Sequence, residues 1–64
     1  MDRTYDIFEI RKEGDLIWRF AVVGLEEAVK HLQDLASKTG NEVRVMHLPS
    51  SSLIARLNVP FDSL

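Results

Sequence analysis

Over the first forty residues the hydrophobic period changes from two to about 3.6. From Phe8 to Val22 apolar side chains fall on alternate positions, and from Leu25 to Ala36 they recur three and four apart. Alternation puts every second side chain on one face of a strand, whereas the longer spacing makes a stripe along a helix. A hairpin running into an amphipathic helix is the pattern's requirement. It commits most of these residues to packing before any is free for chemistry.

The spacing predicts a strand over Thr4 to Lys12, a turn at Glu13-Gly14-Asp15 and a returning strand over Leu16 to Val23. Gly14 can take a positive φ at low cost, as a tight turn demands. If opposite residues share parity, Phe8, Ile10, Leu16, Trp18, Phe20 and Val22 form one almost wholly apolar face, the expected core face. The helix is predicted from Leu25 to about Lys38, with Gly24 as N-cap and Glu26 and Glu27 in the first turn, where carboxylates favour the dipole. Leu25, Ala28, Val29, Leu32, Leu35 and Ala36 share its apolar stripe. Glu26–Lys30, Glu27–His31 and Asp34–Lys38 are expected as i,i+4 pairs on the wet face, and Gly40 as the residue that ends the helix. Glu42 to Leu48 and Leu53 to Val59 read as two further strands across a Pro49-Ser50-Ser51-Ser52 turn.

The expected fold is therefore α+β, in the order ββαββ: a four-stranded, mainly antiparallel sheet with one helix packed on one face. Strand order 2-1-3-4 keeps every neighbour antiparallel, and order 1-2-3-4 with a parallel central pair is the alternative. The 64 residues suit a single domain, with 60–64 expected as a flexible tail unless Phe61 folds back. A core of this size rarely contributes more than about 3–5 kcal/mol. With no cysteine, neither disulfides nor thiolate metal sites supplement it. The expected core is Phe8, Ile10, Trp18, Phe20, Leu25, Ala28, Leu32, Leu35, Leu53 and Leu57, so truncating Trp18 should cost about 3–5 kcal/mol.

One helix leaves the other side of the sheet open. In the expected register that side carries Tyr5, Ile7, Arg11, Ile17 and Arg19, with Glu9, Ala21 and Val23 among them. Tyr5, Ile7 and Ile17 ringed by arginines make a candidate interaction surface, because apolar patches with a polar rim mark association surfaces. Isolated β-branched residues also suit an ordinary strand and need no partner.

Eight Lys and Arg against ten Asp and Glu give a net charge of −2, which argues against affinity drawn mainly from phosphates. A nucleic-acid-binding sheet, with Tyr5 stacking a base beside Arg11 and Arg19, is the alternative use of the same face. No apolar run approaches the roughly 20 residues needed to span a bilayer, and Met-Asp-Arg-Thr-Tyr-Asp lacks the regions of a signal peptide. A cytoplasmic location is the expectation.

Little in the chain signals catalysis. His31 sits beside Glu27 on the helix flank, where a solvated pair accounts for it. His47 precedes Ser50, Ser51 and Ser52, yet nucleophilic catalysis also needs a residue orienting the base and an oxyanion site, and turn chemistry accounts for the serines. Two histidines without a carboxylate triad give no metal site, and the three glycines stand at element boundaries rather than in a phosphate loop. No enzymatic activity and no cofactor are expected.

Tyr5-Asp6-Ile7-Phe8, then Gly14 and Trp18, then Gly24-Leu25-Glu26-Glu27-Ala28 resembles short bacterial proteins of no established activity. These share a Tyr-x-x-Phe strand, a Gly-x-x-x-Trp hairpin and a Gly-Leu-Glu-x-Ala helix start. The resemblance covers about forty residues and implies a fold pattern without a mechanism. A fainter similarity is to HicB-type antitoxins, whose two strands also run into a helix opening with Glu-Glu-Ala. Their Pro-Asp-x-Pro-Gly segment is replaced here by Phe20-Ala21-Val22-Val23. Together these readings predict a small non-enzymatic interaction module that binds a protein partner or itself, through the open sheet face or a sheet edge.

Overall fold

The computed structural model describes residues 3–59, so the tail expected over 60–64 lies outside the described residues. Strands β1 (Thr4–Ile10) and β2 (Leu16–Val23) form a hairpin, helix α1 spans Leu25–Lys38, and strands β3 (Glu42–His47) and β4 (Ser52–Leu57) complete a single sheet. Its order is β2-β1-β3-β4 with every neighbouring pair antiparallel. The ββαββ architecture is as the periodicity requires, and of the two strand orders that it left open the structure has 2-1-3-4.

Local chemistry sets where the elements stop. β1 ends at Ile10 rather than Lys12 because the Arg11 N–H donates to the Asp15 carbonyl at 2.9 Å and the Gly14 N–H to the Arg11 carbonyl at 2.8 Å. Gly14, at φ 96°, closes that turn. β3 stops at His47 because Leu48–Ser50 forms one 3₁₀ turn, ended by Ser51 in the left-handed region. β4 ends at Leu57, where Asn58 takes φ 57°.

The helix starts at Gly24, whose φ of 92° L side chains avoid. Its N–H donates to the Arg3 carbonyl at 2.8 Å and its carbonyl accepts the first helical bond, from Ala28. Gly24→Ala should therefore cost about 1–2 kcal/mol. Urea unfolding followed by circular dichroism checks this, and an unchanged midpoint would contradict it. At the other end Gly40 does not act as the left-handed terminator. The helix ends at Thr39 in extended conformation, its N–H bonded to the Leu35 carbonyl. The Asn58 amide closes the end instead, lying 2.9 Å from the Ala36 carbonyl, 3.0 Å from that of Thr39 and 3.3 Å from that of Asn41.

The core lies between α1 and one side of the sheet. Tyr5 and Ile7 of β1, Val43 and Val45 of β3, and Ala28, Leu32 and Leu35 of α1 are buried there. Phe20, Val22, Ala36 and Ala55 pack against them. The expected core is thus right for Ala28, Leu32, Leu35 and Phe20 and wrong for Leu25 and much of the sheet. Trp18, Leu25, Leu53 and Leu57 are exposed, while Phe8 and Ile10 are half-buried on the side away from the helix.

β1 turns its odd positions to the helix, and two β-bulges break the alternation of β2 and β4. Ile7 pairs with Phe20 but Phe8 pairs with Trp18, so Arg19 is an extra residue in β2. Val45 pairs with Ala55 and Met46 with Leu53, so Ile54 is an extra residue in β4. Each bulge reverses side-chain parity along its strand. Phe20 and Val22 consequently face the helix, while the equally even-numbered Leu16 and Trp18 face away.

Candidate functional site

The side of the sheet away from α1 is organised in rows, because directly paired residues project to the same side. The central row crosses all four strands as Trp18, Phe8, Arg44 and Arg56. One flanking row runs Ala21, Asp6, Met46 and Leu53, and the other Leu16, Ile10 and Glu42. Leu16, Trp18 and Leu53 remain 57%, 55% and 46% exposed. Leu16, Trp18, Phe8 and Ile10 on the hairpin and Met46 and Leu53 on β3 and β4 thus set apolar side chains on this side of all four strands, beside Asp6, Glu42, Arg44 and Arg56.

Polar groups hold the face in shape. The Trp18 indole N–H donates to Asp6 Oδ1 at 3.0 Å, laying the ring diagonally along the hairpin. Glu42, whose side chain is 9% exposed, accepts from Arg44 Nε at 2.7 Å and lies 3.9 Å from Arg56 Nη1. Two carboxylates and two guanidiniums leave this face without net charge. It therefore has no potential that would concentrate phosphates, and its apolar half is available for contact.

The structure moves the candidate surface expected from sequence. Tyr5 and Ile7 are buried beneath the helix, and Ile17 is half-buried opposite Glu9 on that same side. Arg11 is exposed and paired with Asp15 at 2.7 Å, and Arg19 is paired with Glu9 at 2.9 Å. The five do not form one surface. The helix covers the odd side of β1, so Phe8 and Ile10, with their partners Trp18 and Leu16, lie on the exposed face instead of in the core.

Glu9 is a second unexpected centre. Its Oε2 accepts from Thr39 Oγ1 and Asn41 Nδ2, each at 2.7 Å, while Oε1 holds Arg19. The Thr39 and Asn41 hydrogen bonds, with Arg19 beside them, keep its carboxyl below the ordinary glutamate value against the opposing effect of burial. This network ties the segment after the helix to the hairpin at the bulged Arg19. Nearby, an open cleft of about 420 Å³ is lined by Ile10, Arg11, Lys12, Gly14, Gly40, Asn41, Glu42 and Asn58. Among the described residues no buried side-chain polar atom lacks a partner.

The histidines differ from expectation. His31 packs edge-on against Phe20, with ring centroids 5.4 Å apart, and Lys30 rather than His31 approaches Glu27, at 3.4 Å. His47 Nδ1 lies 2.6 Å from Ser50 Oγ, and Ser50 Oγ is 2.9 Å from Ser52 Oγ. A base and a hydroxyl are thus together. Among the described residues no carboxylate hydrogen-bonds His47, whose ring rests against Tyr5 at 5.8 Å. Ser50 Oγ also lies 3.3 Å from the His47 carbonyl, so these contacts stitch the 3₁₀ turn. No group of three or more His, Cys, Asp and Glu suited to a metal occurs among the described residues. No described helix is long and apolar enough to cross a membrane.

The fold and this face define a two-layer α+β domain with one sheet surface covered by its helix and the other open and apolar. The chain matches no protein-family model, no curated protein and no solved structure.

Proposed function

We propose that this chain is a small, non-enzymatic interaction module that binds a polypeptide surface through the helix-free face of its sheet. The observation that carries this reading is the exposed row and its flanks: Trp18, Leu16 and Leu53 stand in solvent beside Phe8, Ile10 and Met46. Aromatic residues, Met and arginine are enriched at protein-binding surfaces. The face is favoured over an edge because both edge strands, β2 and β4, are bulged, which bends an edge away from further strand pairing. Nucleic acid is disfavoured by the balanced charge, since phosphate binding rests on uncompensated Lys and Arg. A cytoplasmic location goes with this reading, and it involves no cofactor.

A photo-cross-linking residue substituted for Leu16 tests it in the expressing cells, with the same residue at Glu27 on the wet side of the helix as control. The expected product is a discrete polypeptide adduct from position 16 and none from position 27. A nuclease-sensitive adduct, or equal labelling from both positions, would overturn the proposal.

A further inference from the structure

The pattern on this face matches its own reverse. The central row carries two aromatic rings on β2 and β1 and two guanidiniums on β3 and β4. Two sheets packed face to face as identical copies are related by a two-fold axis lying between them. With that axis parallel to the strands, β2-β1-β3-β4 of one copy lies over β4-β3-β1-β2 of the other. Trp18 then meets Arg56 of the second copy, and Phe8 meets its Arg44. With the axis perpendicular to the strands, Trp18 would meet Trp18 and each arginine its own counterpart, gathering four guanidiniums.

Resting on the reading of this face as a polypeptide-binding surface, we propose that its partner is a second copy of this chain. The two sheets pack about a two-fold axis parallel to the strands, with the aromatic half of each central row against the arginine half of the other. Arginine over an aromatic ring is attractive through the ring's negative face, more so once water is excluded. Asp6, one row away on β1, lies diagonally across from Arg44 of the second copy and retains its bond to Trp18. Each face holds as many carboxylates as guanidiniums, so two copies meet without net repulsion. The outer flank supports the same axis, because Ala21 comes to face Leu53 of the second copy. Packing a second sheet here also enlarges a core that a chain of this length keeps small.

Sedimentation of the full chain from micromolar to millimolar concentration should show a reversible monomer–dimer equilibrium. Arg44→Glu should raise its dissociation constant at least about tenfold while far-ultraviolet circular dichroism stays unchanged. Trp18, the one tryptophan, should shift its emission to the blue as dimer forms. For the axis, Ala21→Cys and Leu53→Cys are made separately in this cysteine-free chain and treated with a short bismaleimide. Mixed, they should give several-fold more covalent dimer than either alone, since like positions are three strand spacings, about 14 Å, apart across the sheet. A chain that stays monomeric throughout, yet still yields an adduct from position 16 with another polypeptide, overturns self-association and leaves the interaction module standing. Self-association indifferent to Arg44→Glu, or cross-linking as strong in either variant alone as in the mixture, overturns the arrangement.

Discussion

Ile7→Ala is expected to destabilise the domain by about 2–5 kcal/mol, enough to leave much of the chain unfolded. Ile7 lies on the central strand β1 with no exposed surface, packed among Leu32, Val43 and Val45 in the core cluster. Truncation removes its buried methyl groups and opens a cavity that a two-layer domain can collapse only in part. Trp18→Ala, by contrast, should cost about 1 kcal/mol or less, because more than half of the side chain is already in water. Urea unfolding of both variants, followed by circular dichroism at a concentration where the chain is monomeric, checks the pair. Equal losses would mean that Trp18 is a core residue.

Loss of the Glu9 carboxylate should have the next largest effect. Glu9→Gln keeps the size of the side chain but removes the charge that accepts from Thr39, Asn41 and Arg19. Charge-assisted bonds of this kind contribute about 1.5–3 kcal/mol, and the amide offers a donor where two donors already point. The pH dependence follows from the direction of the shift. The folded carboxyl titrates below its ordinary value, chiefly because Thr39 and then Asn41 hydrogen-bond the ionised form, so the unfolded chain binds a proton first as pH falls. The stability conferred by Glu9 is complete above the ordinary glutamate pKa and is lost as pH drops through the depressed folded value. Wild type should weaken between about pH 5 and pH 3, and Glu9→Gln less so, their difference shrinking toward the acid end. A difference that stays constant across this range would show that the charge of Glu9 is not what holds the network.

Much of this was legible because it is local. The helix over Leu25–Lys38 and the hairpin turn at Gly14 follow from spacing and from glycine placed where positive φ is needed. Connection lengths and the need of one helix to cover one side of the sheet left two strand orders, 2-1-3-4 and 1-2-3-4, and the folded sheet has the first. Other features were not local. Asn58 reads as a polar position near the end of the last strand, yet it closes a helix that ends nineteen residues earlier, at Thr39. Glu9 reads as one more charged position in a strand, yet its partners are thirty and thirty-two residues away.

The amino-acid sequence by itself determined the elements, their order and the presence of an apolar sheet face left without a helix. Which residues occupy that face only the tertiary structure decided. Alternation fixes which side chains share a side of a strand only while pairing is unbroken, and a single extra residue reverses it. Arg19 is that residue in β2, drawn out of register where it reaches Glu9 and, through it, Thr39 and Asn41. With that extra residue, paired to Glu9 across the hairpin, Trp18 lies on the open face and Phe20, two positions on, against the core. Hydrophobic spacing carries no trace of that contact, because its partners meet only when the chain is folded.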